Sequence, residues 1–284
     1  MSKKKIKFKK VAIIGVGLIG GSIALALKKR KLTSEVIGFF RKQRSARNAR
    51  KLKIVDAAAF SFKQAVYEAD LIVLATPVGV IKESLARIIN FAKPGAILMD
   101  VGSTKKEIVD LSSRLLSKKS IFFVGAHPLA GSDKSGLSFA KADMFKDSIC
   151  FLTPTRKTNK AALGKVKKIW QSLGAKIIIT DSRNHDRIVS MTSHLPHMIS
   201  FALMNCLSYR DLSFSGNGLR DCTRLASSSE KIWRDICLSN KSEILGAIKR
   251  FKESLSLLAR LLKTGRSRLL QAYFKKAKKR RDNL

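Results

Sequence analysis

The sequence predicts an α/β chain: a doubly wound, largely parallel sheet followed by an all-helical unit. Three observations carry that expectation. Short apolar runs alternate with amphipathic stretches from residue 10 to residue 180, a glycine-rich turn joins the first run to the first amphipathic stretch, and after Asp181 the apolar spacing is helical throughout. A chain of 284 residues has the length for two domains at roughly 100–200 residues each. The boundary is placed at 182, with a sheet unit over 1–182 and a helical unit over 183–284.

Strands are expected over 10–15, 35–40, 71–76, 96–101, 121–125, 149–153 and 177–180, each a short run rich in Val, Ile, Leu and Phe. Helices are expected over 18–30, 80–90, 105–116 and 160–173, where apolar residues recur with helical spacing. A β-α-β order makes neighbouring strands parallel and lays helices on both faces. Asp181-Ser182-Arg183-Asn184 reads as a turn and helix cap. Beyond it, 185–207, 220–226, 230–238 and 242–262 are expected to be helices. The closing run Lys275, Lys276, Lys278, Lys279, Arg280 and Arg281 reads as a solvated helix end.

Composition narrows the class. With 45% hydrophobic and 27% charged residues the chain buries enough apolar surface to fold. Fifty-seven Lys and Arg against 20 Asp and Glu give +37, so anions are drawn to it at low salt. Nucleic acid adheres to such a surface nonspecifically. Aromatics are only 7% and none interleave the basic runs, so specific nucleic-acid binding is the weaker alternative reading. The lysines at 3, 4, 5, 7, 9 and 10 precede an apolar run over 11–27 in the manner of a secretion signal. That run falls short of the roughly 20 residues a membrane helix needs, and its glycines form a turn pattern instead, so a cytoplasmic chain without a membrane segment is expected. Cys150, Cys206, Cys222 and Cys237 show no C-x-x-C pair and read as buried free thiols in a reducing compartment.

Gly15-Val16-Gly17-Leu18-Ile19-Gly20 follows the first strand and opens the first helix. In that context the first glycine permits a tight turn, the second lets backbone approach a pyrophosphate, and the third lets helix pack on strand. The helix start offers free N–H groups and the positive end of its dipole. A nicotinamide dinucleotide is therefore the expected cofactor, held by Gly15, Gly17, Leu18, Ile19 and Gly20, with Thr76 and Pro77 at the end of a neighbouring strand completing the set. In NAD sites an acidic residue usually closes the second strand. Here Val36-Ile37-Gly38-Phe39-Phe40 is followed by Arg41-Lys42-Gln43-Arg44, so NAD or NADP is expected with NADP favoured, Arg41 gripping the 2′-phosphate aided by Lys42 or Arg44.

The four histidines are His127, His185, His194 and His197. His127 directly follows a strand, where open parallel sheets place their ligands, and a neutral imidazole there suits a general base. His194 and His197 stand three apart, on one face of a helix. A metal could use that spacing, but no third ligand is evident and no metal is expected. Arg220, Arg224 and Trp233 supply cations and an aromatic wall for a carboxylate.

Taken together these segments resemble the prephenate/arogenate dehydrogenase family. The resemblance rests on the motifs at 15–22, Asp100-Val101-Gly102-Ser103-Thr104-Lys105, the Gly-Ala-His-Pro-Leu-Ala-Gly-Ser-Asp-Lys-Ser-Gly run at 125–136, Ser193-His194-Leu195-Pro196-His197, Arg220-Asp221-Cys222-Thr223-Arg224 and Trp233-Arg234-Asp235. It implies a Rossmann domain, a helical domain that pairs two chains into a homodimer, and oxidative decarboxylation of prephenate to 4-hydroxyphenylpyruvate, or of arogenate to tyrosine. It also implies that His127 takes the proton of the ring hydroxyl, and that Ser103 bonds the same hydroxyl or orients the histidine. Arg224 and His197 match positions that bind substrate carboxylate, and Trp233 walls the pocket. His194 lies nearby, Asp133 stands where relatives often carry Glu in a gating ion network, and Arg220 joins that network. No fused mutase or extra regulatory domain is expected, so feedback by tyrosine would act at the active site. The positive surface opposes an ammonium and favours prephenate over arogenate; another small β- or γ-hydroxy acid is a further alternative.

Overall fold

The computed structural model describes residues 7–131 and 136–284. Its strands are β1 (Phe8–Ile14), β2 (Thr33–Phe39), β3 (Ala57–Ala59), β4 (Leu71–Leu74), β5 (Ile97–Asp100), β6 (Phe122–Pro128), β7 (Ile149–Thr153) and β8 (Lys176–Ile179). They form one sheet in the order β3-β2-β1-β4-β5-β6-β7-β8. Every pairing is parallel except β6 with β7, where Gly125 faces Thr153 and His127 faces Phe151 in antiparallel register. A parallel return needs a crossover of a dozen or more residues, usually a helix. The described part of the link from β6 to β7 holds only the single 3₁₀ turn Leu137–Phe139.

The apolar runs are continuous because both faces of the sheet are covered. Val11 and Ile13 of β1 enter one core and Ala12 and Ile14 the other, the two-residue alternation of a strand. On the first face lie α1 (Leu18–Lys29), α2 (Gln43–Lys51) and α6 (Lys160–Ser172), which bury Ile23, Leu27, Ala46, Ala49, Val166 and Trp170. On the second lie α3 (Phe62–Val66), α4 (Val78–Ile88) and α5 (Lys106–Leu115), burying Ala65, Ile81, Leu85 and Ile108. Each of the larger side chains adds about 1.5–3 kcal/mol of burial free energy. After β8 the described chain is helical: α7 (Ser182–Val189), a π-helical turn (Ser190–His194), α8 (Leu195–Cys206), α9 (Tyr209–Leu212), α10 (Asn217–Thr223), α11 (Glu230–Ser239), α12 (Lys241–Lys263) and α13 (Ser267–Arg281). The Asp181 carboxylate accepts the Asn184 N–H at 2.9 Å and caps α7, as the turn signal requires.

Three expectations need correction. The sheet has an eighth strand, β3, whose three alanines carry no alternating pattern to betray it. The stretch 185–207 is two helices joined through the π-turn rather than one. Of the four cysteines, all free, only Cys150 is buried; Cys206 and Cys222 are exposed and Cys237 lies between. No helix among the described residues is long and apolar enough to cross a membrane.

Candidate functional site

The sheet order reverses at β1, whose neighbours are β2 on one side and β4 on the other. Ligands of open α/β sheets bind in the crevice at such a switch point. Gly15 takes φ +100°, and a Cβ there would lie 2.6 Å from the Ala75 carbonyl oxygen, so only glycine lets the turn after β1 pass the end of β4. A Cβ on Gly20 would collide with the Gly15 carbonyl oxygen, which is why α1 can press against its strand. At Gly17 the added atom would meet nothing within 4 Å. That glycine opens a space rather than relieving a clash, and its N-cap position, with no side-chain cap and no acidic residue in the first turn of α1, leaves the helix start available to an anion. Thr76 Oγ1 is buried without a hydrogen-bond partner among the described residues, beside the N-terminus of α4 that Pro77 caps. This cradle fits a dinucleotide pyrophosphate. Arg41, Lys42 and Arg44 are exposed just past β2, leading into α2, which contains no acidic residue.

His127 is buried near the carboxyl end of β6, three strand positions from β1 and so about 14 Å away at ordinary strand spacing. Its Nδ1 lies 2.8 Å from Nε2 of His185 on α7. His185 Nδ1 lies 2.7 Å from Asp186 Oδ1. Both Asp186 oxygens also accept backbone N–H groups at the start of α5, from Lys105 at 2.8 Å and Lys106 at 2.9 Å. The Asn240 amide donates to the Asp186 carbonyl at 2.9 Å and lies 3.1 Å from His194 Nδ1. Trp233 stands edge-on to His194 and stacks on His197 with centroids 3.7 Å apart. One string of contacts thus runs from the sheet into the helical unit. Desolvation, then the charges of His185, Lys105 and His194, hold His127 well below the ordinary histidine pKa. Burial lowers His185 as well, and takes His194 to about 4. His197 is lowered by burial and by Arg224.

Ser103 is half-buried in the turn between β5 and α5. That turn is fastened from three sides. Asp100 accepts Gly102 N–H at 2.9 Å and pairs with the ammonium of Lys105, both side chains having 0% exposure. Thr104 Oγ1 meets Ser239 Oγ of α11 at 2.9 Å. Among the described residues the His127 ring meets His185; Ser103, in the neighbouring turn, is expected either to bond the substrate hydroxyl or to orient that ring. Arg224 follows α10 and is exposed, as is Arg220. Asp133 lies outside the described residues. Sequence reasoning gave no role to His185, Asp186, Asn240, Lys105 or Asp100. His185-Asp186 after a capped helix start was the one local signal; the remainder depends on contacts between residues far apart in the chain.

Comparison with known proteins gives two family models, the nucleotide-binding domain of prephenate dehydrogenase over residues 23–179 and its dimerization domain over 181–276. The chain is 36% identical to prephenate dehydrogenase of Bacillus subtilis (strain 168), over 96% of this chain and 76% of that protein. A solved structure of prephenate dehydrogenase from A. aeolicus in complex with hydroxyphenyl propionate and NAD+ superposes with a TM-score of 0.93 at 31% identity, covering 99% of each chain. Synechocystis arogenate dehydrogenase superposes with a TM-score of 0.83 at 28% identity, over 96% of this chain and 99% of that one.

Proposed function

The chain belongs to the prephenate dehydrogenase family, and from that premise we propose that His127 is the base in an oxidative decarboxylation of prephenate to 4-hydroxyphenylpyruvate, a step of tyrosine biosynthesis. One observation carries the assignment of His127: it is a buried imidazole at the carboxyl end of β6 whose pKa is held down, so that at neutral pH it is uncharged and able to accept a proton.

When bound on the glycine turn, a nicotinamide supplies the two-electron acceptor. The chain supplies position, a base and an anion grip. Gly15, Gly17 and Gly20 with Leu18 and Ile19 form the pyrophosphate cradle, and Thr76 and Pro77 line its far wall. His127 takes the hydroxyl proton as the ring carbon loses its hydrogen and electron pair. The bond to the ring carboxylate then breaks, carbon dioxide leaves, and the freed pair completes the aromatic ring. The ring oxygen recovers the proton from His127, so the histidine ends as it began. Aromatisation drives the sequence, which lets a weak base suffice. Ser103 bonds the hydroxyl, Arg224 with His197 holds carboxylate, Trp233 and His194 wall the pocket, and Arg220 joins an ion network that gates it.

NADP is favoured over NAD, supported by Arg41, Lys42 and Arg44 where a carboxylate would otherwise close β2. The boundary between the two units is read at 182. The helical unit pairs two chains, and the exposed Leu245, Leu255, Leu262, Leu269 and Phe274 on α12 and α13 support that role. An absorbance assay crossing prephenate and arogenate with both cofactors tests the proposal; a tenfold preference for NAD removes the NADP assignment. His127→Asn is expected to lower kcat by about 10²–10⁴ with cofactor binding retained. Arg224→Ala is expected chiefly to raise the prephenate KM, by about tenfold or more for a lost charge-assisted contact of about 1.5–3 kcal/mol. Near-normal turnover in His127→Asn would remove the base.

A further inference from the structure

We infer that Asp186 and His185 are positioning residues that fix His127 in a single tautomer, with hydrogen on Nδ1 and a bare Nε2 as the proton acceptor. The inference deepens the proposed function and rests on His127 being its base.

The hydrogen positions follow from the heavy atoms one contact at a time. Asp186 Oδ1 accepts the Lys105 N–H and Oδ2 accepts the Lys106 N–H, so both oxygens act as acceptors. The group that meets Oδ1 from the other side, His185 Nδ1 at 2.7 Å, must then be a donor. His185 is fully buried and its pKa is lowered, so its ring is neutral and carries only that one hydrogen. Its Nε2 is a lone pair. Facing that lone pair at 2.8 Å, His127 Nδ1 must donate. His127, neutral as well, has no hydrogen left for Nε2. The carboxylate thus sets the tautomer of a ring it does not touch, through a second ring whose tautomer it sets directly.

The alignment is held from several elements. Phe151 of β7 packs edge-on against His185 with centroids 5.1 Å apart. Asn240, between α11 and α12, grips the Asp186 carbonyl. Among the described residues the titratable and charged groups around His127 are His185 and Asp186 of α7, His194 of the π-turn, Lys105 and Asp100 around the Ser103 turn, and Cys150 of β7. Among these, Asp186 alone both accepts and touches the imidazole pair. Since it also caps α5, the group that orients the base anchors the turn bearing Ser103, tying base and hydroxyl-binding turn to one carboxylate. In serine hydrolases an amide in place of such an orienting carboxylate costs about 10⁴ in rate through the wrong tautomer.

The test uses the full chain labelled with ¹⁵N-histidine, its His127 signals assigned by difference from His127→Asn, together with steady-state kinetics of His185→Leu and His185→Gln. At neutral pH the His127 signals are expected to report a protonated Nδ1 and a bare Nε2. His185→Leu should lower kcat by about 10²-fold, the scale of a general-base contribution, with KM within about twofold. His185→Gln, whose amide oxygen can accept the same Nδ1–H, should recover at least tenfold of that loss. A native spectrum with hydrogen on Nε2 overturns the inference even if His185→Leu does not fold. So does a His185→Gln chain that is folded but no faster than His185→Leu. The expected tautomer in an enzyme that leaves prephenate untouched would instead overturn the proposed reaction and uphold the hydrogen-bond assignment.

Discussion

Lys105 and Asp100 make a fully buried ion pair beneath the site, and removing the cation has a cost that can be worked from the structure. In Lys105→Met the Asp100 carboxylate keeps one donor, the Gly102 N–H at 2.9 Å on Oδ2, while Oδ1 already has no partner among the described residues. Breaking such a pair from one side costs about 3–5 kcal/mol. Burial already pushes the Asp100 pKa up against the pull of Lys105, and loss of Lys105 pushes it further up. The sign follows from the folded pKa lying above the unfolded one of about 3.9: the variant's native state binds the extra proton, so the deficit grows as pH rises and shrinks as pH falls toward the unfolded value. Urea unfolding of native chain and variant should differ by about 3–5 kcal/mol at pH 7 and by less at pH 5. The double variant Asp100→Asn/Lys105→Met should recover most of the loss. A difference under about 1 kcal/mol at pH 7, or one that does not change with pH, would refute the reasoning.

The glycines of the turn separate binding from folding. Gly17→Ala should leave stability within about 1 kcal/mol, an N-cap cost, while weakening cofactor binding tenfold or more by titration. Gly20→Ala should cost about 1–3 kcal/mol by denaturant unfolding, because its Cβ meets the Gly15 carbonyl and Ile13 side chain. His194, buried and with a pKa of about 4, contributes stability that is fully present above the unfolded value near 6.5 and lost as pH falls toward 4, about 3 kcal/mol in all. A plot of unfolding midpoint against pH should show that slope, and His194→Gln should flatten it.

What was legible in the sequence was what local chemistry determines. The glycine turn could be read because its three glycines act within six residues of each other, and the cap of α7 because Asp181 reaches only to Asn184. Strand β3 could not, since three alanines pair with β2 for want of anything better at that edge. Nor could the π-turn, where an extra residue per turn brings His194 toward Asn240 and Trp233 without marking the sequence. His185 and His127 are 58 positions apart, Asn240 and Asp186 54. Lys105 illustrates a different limit. Among 57 basic residues a buried lysine looks like every exposed one, and only the sheet end that closes over it makes it unusual.

The two histidines assigned to the chemistry share a form but not its consequence. His197 Nδ1 lies 2.9 Å from the Ser193 carbonyl oxygen, which can only accept, so Nδ1 carries the hydrogen and a neutral His197, like His127, presents a bare Nε2. For a base that is the working form. For a carboxylate grip it is the wrong one, because two lone pairs face each other until a proton is taken up. Burial and the neighbouring Arg224 both oppose that uptake in the free chain. In the proposed reading the fixed charge that meets a substrate carboxylate is therefore the guanidinium of Arg224. His197, stacked on Trp233, would add its hydrogen bond only where the arriving anion offsets the cost of protonation, so that reading expects substrate binding to take up a proton at His197, an uptake that calorimetry in buffers of different ionisation enthalpy should detect and that His197→Asn should abolish.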